Sequence, residues 1–61
     1  MRLSASDIFD AESDGAPVLW SLRYARRVAR AHGANLDDAD FVIAPNATTV
    51  CAATVLYWLG Y

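Results

Sequence analysis

Glycine and proline cut the chain into four stretches, each with its own pattern of apolar and polar positions. In the first, Ala5 to Glu12, the large apolar residues are Ile8 and Phe9, and Asp7 and Asp10 suit an exposed face. Ser4 stands where a helix cap is needed, and Asp7 three residues later supplies a short-armed capping box. Ser13-Asp14-Gly15-Ala16 reads as a turn. Pro17 fits the first turn of a helix, where its missing N–H costs nothing, and Gly33 is placed to end that helix in the left-handed conformation. The pattern therefore predicts a second helix over 17–32.

At about 100° per residue this second helix has two faces. Val18, Leu22, Ala25, Val28, Ala29 and His32 share one; Arg23, Arg26, Arg27 and Arg30 share the other, with Trp20 and Tyr24 at the border. It is an amphipathic helix with a core face and a basic face. Asn35 is a good cap for a third helix over 36–44, with Asp37 and Asp38 at its positive end. Phe41-Val42-Ile43 contains two β-branched residues and would also suit a strand, although helix is preferred. Pro45 ends either element. Asn46 then caps a last helix over 47–59, where Val50, Cys51, Val55, Leu56, Tyr57, Trp58 and Leu59 go round the whole cylinder. A helix apolar on all sides is covered by other protein or by lipid. The expected fold is all-α: one domain over 1–61 with three to four short helices, packed around the C-terminal one.

Composition sharpens this picture. With 61 residues, 56% of them hydrophobic, the chain is rich in apolar side chains for its size. So short a chain buries only about 60% of the surface its unfolded form exposes. A surplus of apolar residues is then a reason to expect a partner. Much of the apolar content is alanine, which favours helix and close packing. One cysteine forms no intrachain disulfide, and one histidine with one cysteine does not make a four-ligand zinc site. No cofactor or metal is expected.

Charge is segregated although the net charge is only −2. Asp7, Asp10, Glu12 and Asp14 come first, the four arginines follow, then Asp37, Asp38 and Asp40; there is no lysine. From Phe41 to Tyr61 no side chain is charged, a length near that of a membrane span. Pro45 and Asn46 interrupt it, which favours contact with protein over a span. The start Met1-Arg2-Leu3-Ser4 leads into acidic residues rather than an apolar leader, so a cytoplasmic chain, or one in a viral or multisubunit assembly, is expected and a secreted one is not.

Candidate chemistry is sparse. His32 has no serine, cysteine or carboxylate at a spacing that implies catalysis and reads as a cap-like or interface residue. Cys51, in an apolar run, reads as packing. Asn46-Ala47-Thr48 matches a glycosylation pattern without a secretory context. Asp37, Asp38 and Asp40 lack the spacing of a calcium loop. Val28 to Asn35 has the small-residue pattern of a helix-turn-helix, but a following helix carrying those three aspartates is electrostatically wrong for DNA.

The residues point instead to a non-catalytic structural or protein–protein interaction subunit that oligomerises or docks into a larger assembly. Its expected contact residues are Val50, Val55, Tyr57, Trp58 and Leu59, with Trp20 and Tyr24 on a second surface. Arg23, Arg26, Arg27 and Arg30 are candidates for contact with carboxylate or phosphate. A small nucleic-acid-binding protein using that arginine stripe is the alternative, and a membrane-associated accessory protein a further one.

Overall fold

The computed structural model describes residues 4–61. The reading of Met1 to Leu3 as the start of a chain without a leader lies outside the described residues. Helix α1 (Ala5–Ser13) is followed by strand β1 (Leu19–Ser21), helix α2 (Leu22–Ala31), a 3₁₀ turn (Leu36–Asp38), strand β2 (Thr49–Cys51) and helix α3 (Ala52–Trp58). The two strands form an antiparallel sheet. The expectation of an all-α fold is thus corrected to a small α/β arrangement of three helices and a two-stranded sheet.

The first helix begins as its sequence requires. Ser4 Oγ accepts from the Asp7 amide, and the Asp7 carboxylate accepts from the Ser4 amide, both at 3.2 Å. All three helices then end in the same way. The amides of Gly15, Gly33 and Gly60 each reach back three residues, and the amides of Ala16, Ala34 and Tyr61 each reach back five. These are Schellman closures, which need a left-handed residue, and the three glycines have φ of 82°, 73° and 100°.

The second and last helices are shorter than expected because each gives up its N-terminal turns to a strand. Leu19-Trp20-Ser21 is strand, and Ser21 is also the helix cap, its Oγ accepting from the Tyr24 amide at 3.1 Å. Pro17 therefore precedes a strand and is no part of a helix. Likewise Thr49-Val50-Cys51, mostly β-branched, is strand, so the helix expected over 47–59 spans only Ala52–Trp58. Asn46 caps nothing there; with Pro45 it makes a turn in which the Ala47 amide donates to the Ala44 carbonyl at 3.0 Å. The third helix, expected over 36–44, is also corrected. Asn35 does cap, accepting from the Asp37 amide at 3.0 Å, but only the single 3₁₀ turn follows, and Phe41-Val42-Ile43 is neither helix nor strand.

The ladder pairs Leu19 with Cys51, Trp20 with Val50 and Ser21 with Thr49. It is flanked by two reciprocal bonds. The Leu22 amide donates to the Thr48 carbonyl at 3.1 Å, and the Ala52 amide donates to the Val18 carbonyl at 2.9 Å. Leu22 and Ala52 are the first residues of α2 and α3. Each strand runs directly into a helix, and each helix has one of its orphan N-terminal donors satisfied by the residue preceding the other strand. The backbone pairing of the two strand–helix junctions is thus reciprocal about the Trp20–Val50 pair.

This placement explains why α3 is apolar all round. Its Ala52, Ala53 and Leu56 pack with Ile8 of α1, while Val55 packs with Ala25 and Ala29 of α2 and with Leu36. The excess of apolar residues over 41–61 is therefore largely absorbed by the protein itself. Among the described residues no helix is long and apolar enough to cross a membrane. Trp20 touches both clusters and joins them. The alanines at 25, 29 and 52 are fully buried, so the helices approach closely where a larger side chain would hold them apart.

Two substitutions test this packing. Leu36→Ala should cost about 2–4 kcal/mol, a large part of the stability of so small a domain. Ala29→Leu should cost about 1–3 kcal/mol by forcing α2 away from α3. Urea unfolding followed by circular dichroism should show both midpoints moved to lower denaturant with the native far-ultraviolet spectrum retained in water for the milder case.

Candidate functional site

The residues expected to make contact, Val50, Val55, Tyr57, Trp58 and Leu59 on one surface and Trp20 and Tyr24 on a second, differ widely in burial. Val55 is fully buried in the core. Val50, Trp58 and Leu59 are half-buried and pack against the cluster around it. Trp20 is half-buried between the two clusters, and its ring meets that of Tyr24 edge-on at a centroid distance of 5.2 Å. Tyr24 is exposed on α2. Tyr57 is 77% exposed on α3. Its position explains the difference: α3 turns Val55 and Leu56 into the two clusters and leaves the next residue outward.

Tyr57 stands at a groove of about 500 Å³ that sequence reading did not identify. Phe9 and Glu12 of α1, Ala53, Thr54, Tyr57 and Trp58 of α3, and Asp40 and Phe41 of the connecting segment line it. Phe41 is held there by an edge-to-face contact with Trp58, with centroids 5.9 Å apart and planes at 80°. The groove combines four aromatic rings, a threonine hydroxyl and two carboxylates. No local spacing relates Phe9, Asp40 and Tyr57. Only the packing of α1 on α3 and the return of the chain through 40–41 bring them together. The next residue in the chain, Val42, is 96% exposed.

One wall of the groove is fixed by a thiol. Cys51 Sγ donates to Glu12 Oε2 at 3.2 Å, which ties the C-terminal end of α1 to the strand–helix junction of β2 and α3. Cys51 is half-buried. The contact leaves the second carboxylate oxygen of Glu12 free of that bond.

The arginine stripe lies on an element that contributes nothing to the groove. All four arginines of α2 are exposed. Arg26 pairs with Asp37 at 3.3 Å, and this is the ion pair among the described residues. The carboxylates of α1 do not fold back on the stripe. Arg26 and Arg30 also border a smaller depression of about 240 Å³ with Asn35 and Asp37. Arg23, Arg27 and Arg30 follow each other at four and three residues, so they form one row along the helix.

His32 has a structural place. A backbone carbonyl only accepts, so Nδ1 carries the proton and donates to the Val28 carbonyl at 2.9 Å. Nε2 then accepts from the Tyr61 hydroxyl at 2.5 Å. The ring links the end of α2 to the residue that closes α3. Among the described residues no three His, Cys, Asp or Glu side chains gather as metal ligands.

Phe41→Ala should open the groove and release Trp58 on one side while the core persists. The indole NMR signal of Trp58 should shift, and amide exchange should quicken around residues 40–44 more than in α3.

The chain matches no protein-family model, no curated protein and no solved structure, so its functional reading rests on this geometry.

Proposed function

We propose that this protein is a non-catalytic interaction subunit that assembles with other protein chains through the aromatic groove between α1 and α3. The observation that carries the reading is Tyr57, 77% exposed beside a groove of about 500 Å³ walled by Phe9, Phe41 and Trp58. Aromatic side chains around a concavity supply large contact area at little entropic cost and dominate the energetics of protein interfaces. The domain's own core accounts for Val55, Leu56 and the buried alanines, and it leaves this surface uncovered. Leu59 packs on the core cluster around Val55, and the arginine row with Trp20 and Tyr24 forms a second, polar surface. A cytoplasmic setting, or a place in a multisubunit or viral assembly, belongs to the same proposal; the free thiol of Cys51 suits a reducing compartment.

A second reading is favoured by one observation: Arg23, Arg27 and Arg30 are exposed and have no carboxylate within ion-pair distance among the described residues. Three such cations in a row would grip phosphates. Binding to an oligonucleotide through them should weaken with salt with a logarithmic slope of about −2 to −3.

Size-exclusion chromatography with light scattering decides the main reading. The purified chain at micromolar concentration should run above the mass of one copy, and Tyr57→Ser should weaken association by tenfold or more, about 1.4 kcal/mol, without loss of helix content. A sharply unfolding monomer with no bound partner would overturn it.

A further inference from the structure

The groove and the arginine row are complementary in charge and sit on different elements of one chain. Helix α1 carries Asp7, Asp10 and Glu12 and no basic residue, whereas α2 carries four arginines and no acidic one. The groove places Glu12 and Asp40 among Phe9, Phe41, Tyr57 and Trp58. Aromatic faces beside carboxylates are what a guanidinium group requires: its plane stacks on a ring, and its N–H fork is satisfied by carboxylate oxygens. Arg23, Arg27 and Arg30 offer such groups along about 10 Å of helix. They are exposed, and the carboxylate nearest to the stripe, Asp37, already holds Arg26.

We propose that the groove takes arginine side chains from α2 of a second copy of this chain. The inference rests on the reading of the groove as a protein contact and names its occupant. Because α2 lends no residue to the groove, the contact joins two different patches, one from each copy. Glu12 and Asp40 receive the guanidinium groups, and Tyr57 and Phe9 cover their faces. Association through this contact weakens as salt rises, because part of it is charge pairing at a partly solvated surface.

Neutral variants test the pairing without reversing charge. Arg23→Gln/Arg27→Gln/Arg30→Gln removes the row and leaves the groove. Glu12→Gln/Asp40→Asn removes the carboxylates and leaves the row. Analytical ultracentrifugation should find the wild type associated, each variant alone weakened by about tenfold or more, and an equimolar mixture of the two restored to one-to-one pairs, since the mixture retains a single intact contact. Circular dichroism checks that both variants keep the fold, and the restored pairing in the mixture is itself evidence that they do. If the wild type associates and either variant alone does so equally well, or if the mixture stays apart, this pairing is overturned, while the groove as a protein contact stands or falls with Tyr57→Ser. If the wild type is a monomer, both are overturned. Salt-sensitive binding of a monomeric wild type to an oligonucleotide, lost in the arginine variant, would assign the row to phosphate and overturn the pairing.

Discussion

Everything in this domain hangs on the reciprocal pairing of two strand–helix junctions. The three-residue ladder alone is too short to be stable in water. What makes it effective is that each strand continues at once into a helix, and the first amide of each helix donates across to the other strand's approach. The ladder thereby fixes the start of α2 and of α3 together. The helices then meet through Ala25, Ala29 and Val55. The residues so joined are distant in sequence, so the chain closes a long loop before it gains the contact.

The same constraint makes the groove. Once α3 is placed between α1 and α2, it spends two faces on core contacts. Ala52, Ala53 and Leu56 serve one cluster and Val55 the other. A seven-residue helix has few positions left, and Tyr57 and Thr54 fall toward the gap between α1 and the returning segment at 40–41. Phe41 is drawn to Trp58, and Asp40 comes with it. The aromatic and acidic character of the groove is thus a consequence of how α3 is buried. A larger domain would cover such a surface with another layer. This one has no further element among its described residues to do so.

Charge in the folded protein is as segregated as in the sequence. The carboxylates of α1 make no ion pair with the arginines of α2: α1 packs on α3, and Asp7 is engaged in its own helix cap. Among the described residues Arg26 alone finds a carboxylate, Asp37, from the 3₁₀ turn. Glu12 is occupied from within by the Cys51 thiol. The protein therefore presents a basic helix and an acidic, aromatic concavity separately, and both the self-pairing and the phosphate reading derive from that separation.

The sequence by itself determined the features that depend on a few neighbouring residues. The capping box of Ser4 and Asp7, the cap at Asn35, the left-handed closure at Gly33 and the amphipathic character of the arginine helix could all be read locally, because hydrogen bonds within a turn need no distant partner. What the sequence left ambiguous was how far each helix extends. The apolar spacing of Val18 to Ser21 and of Thr49 to Cys51 fits a helix, and their strand character shows only when each finds the other. Ser21, a cap residue three before Tyr24, was the local signal that marked the true start of α2. The groove had no such signal. Phe9, Asp40 and Tyr57 share no spacing, and the exposure of Tyr57 beside a buried Leu56 follows from the angle at which α3 lies. Tertiary structure decided these points because strand pairing and helix burial are interactions between segments, and their partners lie outside any local window.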